Sequence, residues 1–318
     1  MINEKTSIAF GPVPSRRLGK SLGINNIPPK ICTYSCIYCQ LGRTKNLQRE
    51  RKEFYRPQEI VHSVEQKVTS KKDEVIDYLT FVPDGEPTLD VHLGEEIELL
   101  KSLGMNIAVI TNSSLLSDKQ VRDDLRNADW VSLKIDAISQ DIWKNINRPH
   151  GSLQLSTILE GLVDFAQSFN GYLATETMLI KHTNDTSSEL EKIARFLHEL
   201  QPNKSYISIP TRPPAEPWVH LPTEKNLATA YHIFIEHNIP TEYLIGYEGN
   251  AFSSTGDLEE DILSITAVHP LREEGISELL KKTGQGWEVV EDLLKEKKII
   301  ETEHKNKKFY LRNLQKRT

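Results

Sequence analysis

Three cysteines stand within one short run, CTYSCIYC, at Cys32, Cys36 and Cys39, and the chain has no others. An odd, clustered trio cannot make a disulfide framework. It reads as a thiolate metal site in a reducing compartment. The spacing i, i+4, i+7 lets a short loop aim all three thiols at one small object. Tetrahedral structural zinc wants four protein ligands. The nearest candidates for a fourth are His62 and His92, both on helical stretches. An iron–sulfur cubane normally takes one cysteine per iron, so three would leave one iron open to a substrate or cofactor. The cubane fits the trio as it stands, whereas zinc needs a histidine from elsewhere.

Such a loop works only if regular elements hold its ends. Strand-like runs stand at 21–27, 78–82, 107–111, 131–135, 173–180 and 206–209, with a seventh at 242–245. Amphipathic stretches separate them at 57–68, 93–103, 117–125, 153–169 and 190–200, and another follows at 223–236. In the first of these, Ile60, Val61, Val64 and Val68 keep helical spacing, and Pro57 suits a first turn. Strand and helix alternating in this way predicts parallel βαβ units. The expected fold is α/β, a partial (β/α)6 barrel over residues 1–250.

The composition shifts at 246–256, where YEGNAFSSTG reads as a boundary loop. Helical patterns follow at 257–267, 273–282 and 287–297. Two strands, 298–303 and 308–312, then flank HKNK, and 315–318 is expected to fray. Three helices followed by a β-hairpin resemble a winged helix, a small second unit over 257–314.

Cys32-x3-Cys36-x2-Cys39, with Tyr38 before the last cysteine, resembles the signature of the radical S-adenosylmethionine (SAM) enzymes. FVPDGEPTLD resembles their second motif, with Asp84-Gly85-Glu86-Pro87 standing for Gly-Gly-Glu-Pro. GPVPSRRLGKSLGI, DGEPT, TRPPAE and YEGNAF together are similar to the branch of the tRNA wyosine-base-forming enzymes and related iron–sulfur oxidoreductases. The resemblance covers residues 10–250 and implies a [4Fe–4S] cluster whose open iron is chelated by SAM. It also implies one-electron cleavage of the sulfonium, leaving methionine and a 5′-deoxyadenosyl radical that takes a hydrogen atom from a substrate. With no fourth cysteine, a single cluster is expected.

A cofactor of this kind must be oriented by polar groups at strand ends. Gly85 lets backbone approach the cofactor amino group, and Glu86 helps fix that turn; the alternative is a plain β-turn before a helix. Thr111 and Asn112 suit the cofactor carboxylate or ribose hydroxyls, or else cap a turn. Ser132, Lys134 and Asp136 alternate along one strand and share a face. Polar residues on one face of an apolar strand are costly unless that face lines a polar cavity. Lys134 suits a carboxylate and Asp136 ribose hydroxyls or a cation; a structural ion pair is the competing reading. Glu176, on the next strand, follows the same logic. Tyr38, with Tyr34, can pack over cluster and adenine or wall the cluster from solvent. Arg16, Arg17, Arg148 and Arg212 lie at strand ends and are substrate candidates, because guanidinium matches carboxylate or phosphate.

Hydrophobic residues at 38% and charged residues at 26% exclude whole-chain disorder. No run approaches the ~18 apolar residues of a membrane span. MINEKTSIAFGPVPSRR lacks the order of a signal peptide, so no membrane contact and a cytoplasmic location are expected. A net charge of −6 gives no global attraction to nucleic acid. Electrons are expected from a separate donor such as flavodoxin or ferredoxin, because no flavin domain precedes the cysteine loop. Three function classes follow. One is a radical enzyme acting on a nucleic acid or small molecule. A second is an activase that installs a glycyl radical on a partner protein. The third is an iron–sulfur regulator that reads cluster state onto DNA.

Overall fold

The computed structural model describes residues 7–244, 257–266, 271–304 and 307–313. The expected boundary loop at 246–256, the fraying end at 315–318 and the tip of HKNK at 305–306 lie outside the described residues. The chain opens with a hairpin, β1 (Ala9–Ser15) and β2 (Gly19–Ile24). Two short parallel strands, β3 (Ile31–Cys32) and β4 (Asn46–Leu47), then bracket the cysteine loop. Alternating elements follow: α1 (Pro57–Ser70), β5 (Tyr78–Phe81), α2 (Leu93–Lys101), β6 (Asn106–Thr111), α3 (Lys119–Leu125) and β7 (Trp130–Lys134). They continue as α4 (Gln140–Asn147), α5 (Leu155–Ser168), β8 (Tyr172–Met178), α6 (Ser187–Leu200), β9 (Lys204–Ser208), α7 (Glu224–Glu236) and β10 (Thr241–Leu244).

Eight strands form one sheet in the order β1-β2-β5-β6-β7-β8-β9-β10. Every neighbouring pair from β2 to β10 is parallel, and only β1 runs antiparallel. Each crossover carries the chain to the adjacent strand, as parallel pairing requires. The α/β expectation and the mostly parallel sheet are therefore observed.

Several elements depart from the sequence reading, the short strands β3 and β4 among them, and two bear on the site. β1 is a strand although AFGPVPS reads as a rigid proline segment. An edge strand tolerates Pro12 and Pro14 because the missing N–H groups can face away from the ladder. Arg16 and Arg17 consequently sit in the turn between two strands and not ahead of the first. Helix α4 was not anticipated; it is short, and its apolar positions Trp143 and Ile146 are buried.

The two faces of the sheet differ. Leu79, Val109, Val131, Leu133 and Ile207 pack against the helices in the main core. Each such buried aliphatic stabilises by roughly 1.5–3 kcal/mol. On the opposite face Ala108, Trp130, Ala174 and Tyr206 cluster around Leu18. The period of two sends Ser132 and Lys134 to this second face with Trp130.

The C-terminal part comprises α8 (Leu258–Thr266), β11 (Leu271–Arg272), α9 (Glu273–Thr283), α10 (Glu288–Lys295), β12 (Ile299–His304) and β13 (Lys307–Arg312). Gly284, at φ 68°, closes α9 in the left-handed region open to glycine. The strands order as β11-β13-β12. Ile262, Ile276, Leu279, Val290 and Tyr310 share a core with Val13 of β1. The proline-containing edge strand is thus the seam between this part and the main sheet.

Candidate functional site

The cysteine loop is held from both sides by backbone. Gln48 N donates to Cys32 O at 3.0 Å, and Gly42 N to Cys39 O at 3.0 Å. The end of α4 clamps the middle of the loop, with Ile37 N donating to Ile146 O and Ser35 N to Asn147 O, each at 3.0 Å. Two amides reach the sulfurs. Asn112 Nδ2 lies 3.3 Å from Cys32 Sγ, and Asn147 Nδ2 lies 3.5 Å from Cys36 Sγ. Burial pushes the Cys32 thiol up to about 12 and raises Cys36 still further. Among the described residues, no three Cys, His, Asp or Glu side chains are placed to hold a single metal ion. His92 pairs instead with Glu53 and Glu95, and His62 is exposed on α1.

The second motif leans on the strand that enters this loop. Lys30 N donates to Asp84 O at 2.7 Å, and Glu86 N to Ile31 O at 3.1 Å. A Cβ on Gly85 would stand 1.9 Å from Ile31 O, so only glycine permits this approach. Glu86 is fully buried and accepts from Thr88 N, Thr88 Oγ1, Thr111 Oγ1 and Asn112 N at 2.6–3.1 Å. Burial raises its carboxyl, and these donors pull it back part of the way. Thr111 and Asn112 are therefore braced by Glu86, and Asn112 passes that bracing on to Cys32.

Lys134 and Glu176 face each other across β7 and β8 at 2.6 Å. Arg17 reaches the other Glu176 oxygen at 2.7 Å, and Ser208 Oγ donates to Glu176 at 2.8 Å. Burial opposes charge on Glu176, yet Lys134 and Arg17 bring its carboxyl down to about 2. Burial likewise works against the Lys134 ammonium, but Glu176 and Asp136 outweigh it and hold its pKa above the usual lysine value. Asp136 lies beyond the end of β7. It accepts from Tyr38 Oη, from Asn147 Nδ2 at 2.8 Å and from Met178 N at 2.9 Å. Burial raises its carboxyl, the Lys134 charge and these donors notwithstanding. Lys134 Nζ also stands 5.2 Å from the Tyr38 ring. Ser132 is buried on the same face.

Of these groups Tyr38 and Glu176 line a cavity of ≈ 330 Å³, together with Cys36, Cys39, Met178 and Ser208, whereas Ser132, Lys134 and Asp136 are not among its lining residues. Arg17 and Arg212 also line it, and Arg212 donates to Gln40 at 2.8 Å. Arg148 is not among the lining residues; it pairs with Glu216, as does Arg43. Arg16 is exposed on the hairpin turn. Tyr34 turns into the core, where Trp143 Nε1 donates to its hydroxyl at 3.0 Å.

Comparison with known proteins fits this geometry. The family model for the radical SAM superfamily matches residues 26–197. The chain belongs to that superfamily. A UPF0026 protein of Methanocaldococcus jannaschii is 48% identical over 313 residues, covering 98% of each chain. A radical SAM methyltransferase from Sphaerobacter thermophilus shares the fold at TM-score 0.53, with 16% identity over 71% of this chain and 66% of that one. A structure of TYW1 with a lysine-pyruvate adduct bound aligns over 93% of this chain and 80% of its own, at 14% identity and TM-score 0.44.

As a radical SAM enzyme, the chain is implied to use SAM and an iron–sulfur group, and such enzymes generally need an electron donor. The donor set fits an iron–sulfur group, because three soft thiols stand with amide N–H groups aimed at two of them. No helix among the described residues is long and apolar enough to cross a membrane. Among the residues at the cysteine loop and cavity that the sequence reading did not name are Asn147 and Arg272. Asn147 was missed because its helix was; its one local signal is a polar residue ending an apolar turn before Arg148-Pro149. Arg272 also lines the cavity, 233 residues after Cys39 in the chain, and no local pattern announces it.

Proposed function

We propose that this chain holds one [4Fe–4S] cluster on Cys32, Cys36 and Cys39, binds SAM at the iron without a thiolate, and abstracts hydrogen from a substrate in the adjoining cavity. The observation that carries this reading is that Cys36, Cys39, Tyr38, Glu176 and Met178 surround one cavity. Three thiols in one loop suit a polynuclear group with one open iron better than a four-ligand structural zinc. When bound, the cluster and SAM supply the one-electron cleavage that yields methionine and a 5′-deoxyadenosyl radical.

The chain's own residues hold, orient and shield. Asn112 and Asn147 turn N–H groups toward two of the thiolates. Backbone at Gly85, with Thr111 and Asn112, provides the polar edge for the methionine end of SAM. Glu176 lines the opposite wall, with Lys134 paired to it from behind. Tyr38 is tied to that wall through Asp136. Val82, Ile110, Leu41 and Leu244 keep the chamber apolar, which limits water and stray hydrogen donors.

We read the open sheet as a partial barrel in a domain spanning 1–250. The order helix, strand, helix, helix, strand, strand after residue 257 supports a winged-helix-like unit over 257–314. Arg43, Lys45, Arg49, Lys52 and Arg56 are exposed after the cysteine loop in an otherwise acidic chain. This stretch suits an acidic electron donor such as a flavodoxin or ferredoxin. A thiolate redox centre supports a reducing, cytoplasmic setting.

The test is anaerobic reconstitution with iron and sulfide, followed by dithionite and SAM. Four irons per chain, lost in Cys36→Ala, and formation of 5′-deoxyadenosine are expected. Stoichiometric zinc with no iron, or loaded protein that leaves SAM intact, would overturn the reading.

A further inference from the structure

One segment touches both the chamber and the cysteine loop. The connection after β9 carries TRPPAE, whose Thr211 and Arg212 line the cavity. Glu216, which ends that run, donates its backbone N–H to Ile37 O at 3.0 Å, inside the cysteine loop. Its carboxylate is buried and faces two guanidinium groups. Arg43, just beyond Cys39, binds it with Nε and Nη2 at 2.8 and 3.0 Å. Arg148, at the end of α4, shares the oxygen that Arg43 Nε takes. Arg43 first, and then Arg148, hold this carboxyl down at about 2 against burial, so Glu216 is an anion at neutral pH.

Arg148 also turns the chain beside the sulfurs. It closes α4 at φ 45° and ψ 63°, in the left-handed region that a residue other than glycine occupies at a cost. Such a conformation persists where surrounding contacts hold it. Some of those contacts come from the cysteine loop: Ser35 N donates to Asn147 O at 3.0 Å and to Arg148 O at 3.2 Å, and His150 N donates to Thr33 O at 2.9 Å. Glu216 holds the same turn by its charge. The neighbouring Asn147 serves two acceptors with its Nδ2, Asp136 at 2.8 Å and Cys36 Sγ at 3.5 Å. The direction of that amide depends on the turn at Arg148, and the turn on Glu216.

We propose that Glu216 is a positioning residue for the iron–sulfur group: through Arg148 it fixes the turn that aims the Asn147 amide at Cys36, and through Ile37 and Arg43 it ties the chamber segment to the cysteine loop. This role rests on the reading of the cysteine trio as a cluster site. An N–H held on a cluster ligand stabilises the reduced state, so Glu216 raises the potential without touching the group. Arg148, a substrate candidate in the sequence, then belongs to the support of the cluster loop.

The experiment has a metal-free arm and a loaded arm. In metal-free protein, amide hydrogen exchange at Ser35 and Ile37, followed by NMR, should be about tenfold faster in Glu216→Gln than in the parent, because the α4 carbonyls that accept those N–H groups lose their hold. In protein at full iron content, Glu216→Gln should lower the midpoint potential, by no more than Asn147→Ala does. The double variant should move it no further than Asn147→Ala alone, since both changes remove one N–H contact. Arg148→Lys keeps a cation for Glu216 but loses the planar fork, so it should fall between parent and Glu216→Gln; it also serves if Glu216→Gln folds poorly. Glu274→Gln, exposed on α9, should change neither exchange nor potential. Faster exchange with an unchanged potential would make Glu216 a brace of the fold alone and overturn its role at the cluster. So would additive shifts in the double variant, or unchanged exchange in metal-free protein. Failure of the parent to load iron overturns the cluster reading and with it the effect on potential, while the exchange arm still decides whether Glu216 fixes the turn.

Discussion

Lys134 Nζ lies 2.6 Å from Glu176 Oε1, directly across the β7–β8 register, and Arg17 takes the other oxygen of the same carboxylate. Two cations therefore share one buried anion at the wall of the cavity. Removing the anion alone leaves the cations facing each other. Glu176→Gln should destabilise the chain by about 3–5 kcal/mol near neutral pH, measured by denaturant unfolding. The sign with pH follows from the depressed carboxyl, held at about 2 in the fold. Its contribution is present above the ordinary glutamate range and is lost as pH falls through about 2, so the gap between parent and variant should close in strong acid. A gap unchanged at about pH 2 would show that the network is not ionic.

Asn112 joins the second motif to the cysteine loop, since its backbone N–H binds Glu86 and its amide reaches Cys32 Sγ. An N–H directed at a cluster ligand stabilises the more negative, reduced state. Asn112→Ala should keep its iron and move the midpoint potential downward by tens of millivolts in an anaerobic redox titration. Dithionite-driven SAM cleavage should slow accordingly. An unchanged potential at full iron content would remove the amide from any tuning role.

Gly85 has no room for a side chain, with Ile31 O at 1.9 Å from where a Cβ would stand. Gly85→Ala must push the second motif away from β3 and break the Glu86 N to Ile31 O hydrogen bond. We expect a loss of about 2–4 kcal/mol in stability, together with weaker SAM binding and incomplete iron loading. A variant with parent-like stability and iron content would show that the motif shifts without consequence.

Glu96 lies fully buried on α2, where the Asn26 amide is the side chain that favours its charged form. Burial, aided by repulsion from Asp90, raises its carboxyl to about 9. The folded chain therefore keeps a proton that the unfolded chain releases above about pH 4.5, and stability falls as pH rises from there toward about pH 9. The slope should approach 1.4 kcal/mol per pH unit, as an order of magnitude for about one proton. Glu96→Gln should flatten this slope and melt higher than the parent at about pH 8. Parallel slopes in a scan of melting temperature against pH would contradict it.

The cysteine trio and DGEP were legible in the sequence because their chemistry is local. Three thiols in one loop constrain what can bind whatever surrounds them. The parallel α/β order was legible too, since each strand and helix carries its own periodicity and strand order here follows chain order. What depends on register was not legible. No local signal says that Lys134 meets Glu176, 42 residues on, or that Asp136 spends its oxygens on Tyr38, Asn147 and Met178. Arg148 and Arg212 looked alike as guanidinium groups after strands, yet one pairs with Glu216 and the other lines the cavity. β1 hid behind its prolines because only the sheet decides which edge tolerates a missing donor. Arg272 entered the site because Leu271 and Tyr310 anchor their ladder on Val13 of β1. Sequence by itself determined the donor set and the alternation of elements, which are properties of short segments. Tertiary structure decided which charges meet and which face the cavity, because those depend on strand register and on the seam between distant parts of the chain.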